Sequence, residues 1–377
     1  MKDLQIDRVE VFTVGPPTQR LAWALDMPGQ YMTGTIVRVT TRGGLVGVAG
    51  AANYSDFQFE SSVAETLRCM APTLIGRSPL QREAIWHAML SKTLPRAPQA
   101  QSLLDVALWD LTAQAADLPL WQLLGGARDR ILSYASTALL ESPDAYVEAV
   151  VRLREEGFRA IKFHCWCERG RDLAMVRRVR ASGHDTGLAL MLDVEQRYEV
   201  PDALAVGREV GELGYVWFEA PLDDYDLHGY RRLARELTVD IIPAGNSVVD
   251  HRMVAFGLDS GCWDRVRIDV MTCGGLTGAL KVMGLAAAHG TTVELQCWGY
   301  TLAQAANLHL MLGQPNCSYF EQPTPYEAFE YGSDTVIRTD ADGFVHAPAG
   351  TGLGIQVNWG DVERATLGRI DCTAATA

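Results

Sequence analysis

Two residues that can exchange protons end an apolar run near the middle of the chain. The run Phe158-Arg-Ala-Ile-Lys-Phe-His164 is typical of a short buried strand, so Lys162 and His164 lie on one face of it. A lysine beside a divalent cation loses its proton more readily, and histidine titrates near neutral pH without help. The spacing favours acid-base catalysis. A lysine paired with a carboxylate and a histidine bonded to a loop carbonyl form the structural alternative.

Side-chain oxygens end the next three apolar runs. They belong to Asp193, Glu219 and Asn246. Functional groups at the carboxyl ends of neighbouring parallel strands face a shared mouth, where oxygen ligands suit Mg²⁺. A single acid at a strand end often only caps a helix or pairs with a lysine, but three in succession predict a magnesium site.

The elements that must position these residues alternate between strand and helix from residue 131 onward. Short runs rich in branched and aromatic residues, separated by helix-length segments, are typical of buried parallel strands with helical crossovers. The predicted strands are 131–136, 159–164, 188–193, 215–219, 240–244, 265–269, 291–296 and 317–321. Eight such units predict a (β/α) barrel rather than an open doubly wound sheet. No Gly-x-Gly-x-x-Gly follows a strand to support nucleotide binding.

The amino-terminal part of the chain has a different pattern. It alternates like antiparallel strands to about residue 50 and then shows helical periodicity to about residue 124. The long link 15–33, with Trp23, Asp26 and Tyr31, and the stretch 51–58, with Tyr54, are predicted to be lids. We predict an α+β capping domain over 1–126, a barrel domain over 127–322 and a carboxyl-terminal segment over 323–377. The last segment has short strands predicted at 335–338 and 344–347.

Composition limits the class of protein. The 377 residues carry a formal net charge of -13, which argues against a nucleic-acid partner because phosphate binding needs a basic face. The chain has neither an apolar run of about 20 residues nor a signal-peptide pattern at its start, so we expect a cytoplasmic protein without a membrane partner. The eight cysteines have the spacing of neither a zinc knuckle nor a disulfide framework, and we expect reduced thiols.

Short motifs are spread along nearly the whole chain. They are Asp105-Val-Ala-Leu-Trp-Asp110 with Leu118-Pro119 and Leu123-Leu-Gly-Gly126, Ala160-Ile-Lys-Phe-His164, Leu192-Asp193, Phe218-Glu-Ala-Pro221, Pro243-Ala-Gly-Asn246, Asp269 ahead of Gly274-Gly-Leu-Thr277, and Trp298-Gly299. Together they resemble the enolase superfamily, in its mandelate racemase and muconate lactonizing branch. The resemblance implies an α+β cap over a modified (β/α) TIM barrel, with the carboxyl-terminal segment returning to the cap. It also implies Mg²⁺-assisted removal of the proton α to a carboxylate.

The resemblance assigns roles by position. Asp193 and Glu219 become metal ligands, and Asn246 takes the third place, where the family usually has an acid. Lys162 and His164 occupy the place of a Lys-x-Lys pair. Two of these five positions therefore depart from the family pattern. The missing acid weakens metal binding unless another donor compensates for it.

The later strands carry the remaining catalytic candidates. Asp269 takes the place of an acid that orients a catalytic histidine, and Gln296 stands where that histidine is expected. Glu321 matches an acid that in racemase-like members donates a hydrogen bond to the substrate carboxylate. Glutamine cannot exchange a proton near pH 7, which disfavours a racemase with one base on each face of its substrate.

The most consistent function is therefore a lyase that works from the Lys162 and His164 side, with an acid-sugar dehydratase as the leading hypothesis. A lactone cycloisomerase, a racemase or epimerase, and a non-catalytic relative that binds a carboxylate or a metal remain alternatives. Glu195 shares a face with Asp193 and is a candidate to compensate for Asn246, or else pairs with Lys162 or an arginine. Trp23, Tyr54, Glu195 and Trp298 are candidate contacts for a small carboxylate substrate. Relatives of this kind usually form homo-oligomers.

Overall fold

The computed structural model describes residues 3–19, 21–23, 31–55, 60–90 and 97–376, with the backbone alone for 31 and 53–55. The strands are β1 (Ile6–Val14), β2 (Tyr31–Thr41), β3 (Val46–Ser55), β4 (Arg130–Ser136), β5 (Ala160–His164), β6 (Ala189–Asp193), β7 (Trp217–Glu219), β8 (Asp240–Ile242), β9 (Val266–Ile268), β10 (Val293–Leu295), β11 (Phe320–Pro323), β12 (Phe344–His346) and β13 (Thr366–Thr373).

The α-helices follow the predicted alternation. They are α1 (Glu60–Met70), α2 (Arg82–Leu90), α3 (Pro98–Ala115), α4 (Leu120–Leu123), α5 (Pro143–Glu155), α6 (Arg169–Ser182), α7 (Val200–Glu212), α8 (Leu227–Glu236), α9 (His251–Asp259), α10 (Gly275–Ala288), α11 (Thr301–Gly313) and α12 (Trp359–Arg364). Short 3₁₀ helices cover Ala71–Thr73, Pro79–Gln81 and Tyr326–Ala328. No helix in these ranges combines the length and apolarity needed to cross a bilayer.

The predicted barrel is confirmed. Strands β4 to β8 pair in parallel in chain order, β9 pairs in parallel with β10, and β11 pairs in parallel with β4, which places the last barrel strand beside the first. Alternate side chains point into the barrel, where Tyr134, Met191, Trp217 and Ile242 form an apolar layer below the mouth. All eight predicted strands are present. Their carboxyl ends therefore meet at one end of the barrel, which brings the polar residues at these strand ends close together.

Some predicted limits of the elements are wrong. The strand predicted at 240–244 ends at Ile242 because the amide groups of Ala244 and Asn246 donate to the Asp224 carboxylate, at 2.9 and 3.0 Å, instead of to a neighbouring strand. The predicted strand at 335–338 is irregular, since the Ser333 hydroxyl bonds the backbone of Thr335 and forms a local turn.

The predicted lids are only partly described. Residues 51–55 belong to β3, which pairs with β2, so this part of the second lid is strand and not loop. Small residues permit that pairing, with Ala51 opposite Thr35 and Ala52 opposite Gly34. Asp26 lies outside the described residues. Tyr54 is part of β3, but its side chain is outside the described part of the chain.

The family motifs near the amino terminus lie between the cap and the barrel. Asp105 on α3 accepts hydrogen bonds from the Thr277 amide and hydroxyl at the start of α10, at 2.9 and 2.6 Å. Gly275 sits so close to Asp105 that an added Cβ would lie 2.4 Å from its carboxylate, and its φ of +78° also favours glycine. This contact therefore joins the two units at fixed positions.

The carboxyl-terminal residues contact both units. Strand β13 pairs antiparallel with β1, which makes the order of the cap sheet β13-β1-β2-β3, while β12 pairs with β4 of the barrel. Asp110 on α3 accepts from the amides of Val48 in the cap and Leu353 near the carboxyl terminus, both at 2.9 Å. The domain limits at 126 and 322 stay predictions.

Candidate active site

Lys162 lies at the centre of the barrel mouth. Strand β5 directs its side chain inward, and the residue is 1% exposed. The ammonium contacts Asp193 Oδ2 at 3.0 Å, Glu219 Oε1 at 2.6 Å and Glu321 Oε1 at 2.9 Å. The structure thus brings one of the two predicted acid-base residues together with two predicted metal ligands and with the acid of the last barrel strand.

His164 faces the same group of acids from the end of β5. Its Nδ1 lies 2.5 Å from the carbonyl oxygen of Thr137, which can only accept, so Nδ1 carries a proton. Its Nε2 lies 3.2 Å from Asp193 Oδ2 and 3.1 Å from Glu195 Oε1. Burial acts to lower the pKa of His164, but Asp193 and Glu195 outweigh it and raise the pKa to about 10. Among the described residues, Glu195 therefore pairs with His164 rather than with Lys162 or an arginine.

A buried arginine is a second cation of the site. Arg267 on β9 is 1% exposed, and its Nε lies 2.8 Å from Glu219 Oε1 while its Nη2 donates to Glu321 Oε2 at 2.7 Å. Nη1 donates to the Tyr134 hydroxyl at 3.2 Å, and Trp217 Nε1 donates to the other oxygen of Glu219 at 2.9 Å. Both carboxylate oxygens of Glu219 therefore have partners.

The acids of the site differ in their protonation behaviour. Burial raises the pKa of Glu219 to about 8, because the attraction of Arg267 and Lys162 does not offset the loss of solvent. Burial acts the same way on Asp193 and Glu321. There, however, Lys162 and His164 hold the pKa of Asp193 well below its usual value, and Arg267 with Lys162 lowers that of Glu321 to about 2.

The same charges act on Lys162. Burial and the nearby Arg267 act to lower its pKa, but Glu219 and Glu321 outweigh them and raise it well above its usual value. The protein's own charges thus act against the lowered pKa expected for a lysine beside a divalent cation. Lys162 and His164 share one acceptor, Asp193 Oδ2, so engaging that oxygen elsewhere would weaken the hold on both protons.

The opposite side of the mouth is neutral at its rim. Gln296, just after β10, donates from Nε2 to Asn246 Oδ1 at 2.9 Å and to the Ala244 carbonyl at 3.2 Å. Asp269, just after β9, accepts at one oxygen from the Met271 amide and from Asn307 Nδ2, both at 2.8 Å. Among the described residues, Asn246 is therefore bonded to Gln296 rather than to Asp193 or Glu219. In the same part of the chain, Asp269 is bonded to Asn307 rather than to Gln296.

Glu321 is an acceptor in this arrangement. Its oxygens receive hydrogen bonds from the Ser136 hydroxyl at 3.0 Å, Trp298 Nε1 at 3.0 Å and the Cys297 amide at 3.1 Å, in addition to the two cations. An ionised carboxylate has no proton to donate. Glu321 is thus an acceptor with this set of neighbours, and the donor role that the resemblance implies for it stays a prediction.

The aromatic candidates form a layer beside His164. The indole ring of Trp298 packs edge-on against His164 at a centroid distance of 5.6 Å and against Trp23 at 4.8 Å. Trp23, Met32, Trp298, Tyr300 and Phe329 belong to one buried cluster. Trp23 and Trp298 therefore form an apolar wall of the mouth, and their contact with substrate stays a prediction.

Sequence reasoning missed four residues that shape the site. They are Thr137, Asp224, Arg267 and Asn307. Arg267 had a detectable signal, because it lies two residues before Asp269 on the inward face of a strand, where a permanent cation needs acidic partners. The others act through backbone bonds or from a helix, so only the fold reveals them.

The donor chemistry can be tested against a divalent cation. The contacting groups are the carboxylates of Asp193, Glu195, Glu219 and Glu321, the ammonium of Lys162, the guanidinium of Arg267 and the imidazole of His164. A divalent cation there would lower the pKa of both His164 and Glu219. With the imidazole then neutral and Glu219 ionised, four negative charges would face two positive ones, a surplus of two. Oxygen donors with this surplus at the mouth of a barrel fit Mg²⁺ or a similar cation.

Fold and site together define a capped (β/α) barrel protein with a buried acid-base pair beside an oxygen-rich cation site. Two family domains match the chain: the mandelate racemase / muconate lactonizing enzyme, N-terminal domain over residues 8–125, and the enolase C-terminal domain-like region over 145–362. The chain belongs to the enolase superfamily, in its mandelate racemase and muconate lactonizing branch.

Similar proteins include several kinds of enzyme. L-talarate/galactarate dehydratase of Salmonella typhimurium is 30% identical over 294 residues, which cover 74% of this chain and 70% of that protein. The curated relatives also include a lactone cycloisomerase and racemases or epimerases of amino-acid derivatives. This range supports an enzyme of the superfamily and does not select one reaction.

Solved structures agree with the fold. A Pseudovibrio sp. protein, described as belonging to the mandelate racemase/muconate lactonizing enzymes, is 37% identical with a TM-score of 0.96, covering 98% of this chain and 100% of that one. D-glucarate dehydratase from Agrobacterium tumefaciens, complexed with magnesium, is 26% identical with a TM-score of 0.83, covering 97% and 100%.

Proposed function

We propose that the protein is a Mg²⁺-dependent lyase that removes the proton α to the carboxylate of an acid sugar and expels a β-hydroxyl group. The proposal depends on one observation, that the candidate proton-exchanging residues lie together on one side of the barrel mouth. Lys162 and His164 meet at Asp193, while the facing rim presents the hydrogen-bonded amides of Asn246 and Gln296. An elimination needs one base and one acid, whereas racemisation with a base on each face needs a second proton acceptor opposite the first.

The metal would be held by Asp193 and Glu219, with Asn246 as the third ligand that the resemblance implies. Bound there, Mg²⁺ supplies Lewis-acid stabilisation of negative charge developing on the substrate carboxylate. A neutral Asn246 that is bonded to Gln296 is a weaker donor than an acid. Mg²⁺ affinity therefore depends mainly on the two carboxylates and on any further donor that the site offers.

The proton-transfer roles fall to Lys162 and His164. Each lies within 3.2 Å of Asp193 Oδ2, so a substrate bound beside that oxygen would be close enough to exchange protons with both residues. One residue takes the α-proton and the other returns a proton to the leaving hydroxyl. Trp298 and Trp23 exclude water from the His164 side of the mouth.

Cycloisomerisation of a sugar lactone is the second candidate. It uses the same base beside the same acid, and D-galactarolactone cycloisomerase of Agrobacterium fabrum is among the similar proteins. The two reactions differ in product, since dehydration gives a 2-keto-3-deoxy acid and ring opening of the lactone retains every atom of the substrate. Product analysis therefore separates them. The cytoplasmic location and assembly as a homo-oligomer stay predictions.

The test is a screen of mono- and diacid sugars and their lactones with Mg²⁺ in D₂O. We expect a 2-keto-3-deoxy product and solvent deuterium in it, both lost in Lys162→Ala and reduced in His164→Ala. Lys281→Ala, which removes a lysine paired with Glu83 on the surface, is the matched control and retains the activity. Neither exchange nor product across the panel, with the protein folded and Mg²⁺ bound, would instead favour a carboxylate-binding protein without turnover.

A further inference from the structure

Two free thiols lie on the segment that leads away from His164. Cys165 and Cys167 follow the end of β5 and are separated by one residue, Trp166. Cys165 is fully buried, whereas Cys167 is partly exposed. The acid-base chemistry proposed above uses neither of them. The pair is therefore a dithiol whose role has to be sought elsewhere.

The side chains of the two cysteines lie against each other. Cys167 Sγ is folded back to the carbonyl oxygen of Cys165 at 3.5 Å, and the two thiols are in hydrogen-bonding contact. Residues two apart in a chain have Cα atoms about 5 to 7 Å apart, and a disulfide needs about 4.4 to 6.8 Å. A bond between the two sulfur atoms therefore requires only a local adjustment of the segment.

The backbone of this segment is held from both sides. The Trp166 amide donates to Asp172 Oδ1 at 3.1 Å, and Cys165 Sγ contacts the Asp193 carbonyl oxygen at 3.6 Å. Cys167 has a φ of +60°, which residues other than glycine adopt only rarely. Strain of this kind persists only where surrounding contacts hold it, and it is common at functional sites. The segment thus keeps the two thiols together.

The different exposure of the two thiols gives them different roles. Cys165 belongs to the buried cluster that also contains Tyr146 and Trp166, and Cys167 packs against this cluster at its edge. An oxidant that arrives from solvent meets Cys167 first. Once Cys167 carries a mixed disulfide, the Cys165 thiol is already beside the sulfur atom that it must attack. Such proximity replaces a bimolecular step by an intramolecular one.

We propose that Cys165 and Cys167 are a site of reversible oxidation, at which a small disulfide such as oxidised glutathione is exchanged for an intramolecular disulfide. The Cys167 thiolate attacks one sulfur of oxidised glutathione and releases one glutathione. Cys165 then loses its proton and attacks Cys167 Sγ, which releases the second glutathione. Two protein thiols are oxidised, and one small disulfide is reduced to two thiols. The proposal goes beyond the proposed function, because it needs neither the metal nor an acid sugar.

The test exposes the full chain carrying Cys69→Ser to an excess of oxidised glutathione and then alkylates the remaining thiols after denaturation. Cys69 is exposed, so its replacement removes a competing reaction. We expect mass spectrometry to show loss of two alkylatable thiols, no bound glutathione, and a disulfide in the peptide with Cys165 and Cys167. Dithiothreitol should restore both thiols. Cys372→Ser, which removes a buried cysteine of β13, is the matched control and forms the same disulfide.

Single variants test the order of the two steps. Cys165→Ser should retain one glutathione on Cys167, because no second thiol is present to displace it. Cys167→Ser should leave Cys165 free for alkylation, because solvent does not reach it in the folded protein. Glutathione retained on Cys167 when both thiols are present, or both thiols still alkylated after treatment, would overturn the proposal. Cys167 is partly exposed, so Cys167→Ser remains informative if Cys165→Ser does not fold.

Discussion

The two sides of the barrel mouth stabilise buried polar groups in different ways. On the side of β5, β6 and β7, Lys162 and His164 face Asp193 and Glu219, and the contacts among these four residues join charged or titratable groups. Beyond β8 and β10, Asn246 and Gln296 satisfy each other through their amides. The first side can move protons, whereas the amide pair of the second side holds its geometry without exchanging any.

The difference has an energetic basis. A buried charge costs several kcal/mol unless opposite charges and hydrogen bonds compensate for it, whereas a buried amide needs only hydrogen bonds. Arg267 starts on β9 but reaches Glu219 and Glu321, so its charge belongs with the first side. The mouth therefore has one reactive side and one structural side. The predictions below test that division.

The largest expected effect is on the proton-transfer side. Replacing Lys162 with methionine removes one of the two proposed proton-transfer groups while nearly keeping the length of the side chain. General acid-base groups contribute about 10² to 10⁴-fold, so we expect deuterium exchange into the substrate to fall by about 10³-fold. Exchange followed by NMR in D₂O measures this. A fall of less than tenfold, in a folded variant that still binds Mg²⁺, would exclude Lys162 from the proton-transfer pair.

Loss of Arg267 should affect stability most. Arg267→Met leaves Glu219 and Glu321 with less positive charge, and removing one partner of a buried pair costs about 3 to 5 kcal/mol in the free energy of unfolding. Urea denaturation measures the loss. If the cost comes from the unpaired Glu321, then Glu321→Gln will cost less in the Arg267→Met background than in the wild type. Strict additivity of the two changes would argue against this pairing.

The sequence predicts the features that depend on residues close together in the chain better than those that depend on distant segments. Lys162, His164, Asp193 and Glu219 were found because spacing within a strand and position at a strand end are local properties. The barrel followed from the repeated strand and helix pattern for the same reason. The positions of these residues could be predicted without knowing how the barrel strands pair.

The remaining features depend on contacts between distant segments. Arg267 on β9 meets Glu321 on β11, and Asn307 reaches Asp269 from α11. Strand β8 ends early because Asp224, from the preceding loop, takes the amides of Ala244 and Asn246. Local patterns contain no information about these partners, so the sequence could not assign them.

Asp269 lies on the structural side of the mouth, and its titration should make the stability of the protein depend on pH. Burial raises its pKa to about 6 from the usual 3.8, so between these values the folded protein binds more protons at this site than the unfolded chain. Its contribution to stability is therefore present at low pH and is lost as pH rises through about 6. The integrated loss is about 3 kcal/mol. Asp269→Asn keeps an acceptor oxygen for Asn307 and does not titrate.

The measurement compares the free energy of unfolding of the wild type and Asp269→Asn from pH 4 to 7. We expect the variant to gain stability relative to the wild type as pH rises across this range. A constant difference between the two would show that Asp269 titrates normally in the folded protein. The same variant should retain most of the deuterium exchange, since Asp269 contacts neither Lys162 nor His164 among the described residues.

The smallest expected effect is at the amide pair. Gln296→Ala removes the hydrogen bond to Asn246 but no titratable group, so we expect exchange at the α-carbon to fall by less than about tenfold, the value of one neutral hydrogen bond. Steady-state rates on the substrate found by the screen, measured from pH 6 to 9, provide the check. The shape of the pH profile should match the wild type, because no proton-exchanging group has been removed. A loss as large as that in Lys162→Met would mean that the second side also takes part in the chemistry, and the division between the two sides would be wrong.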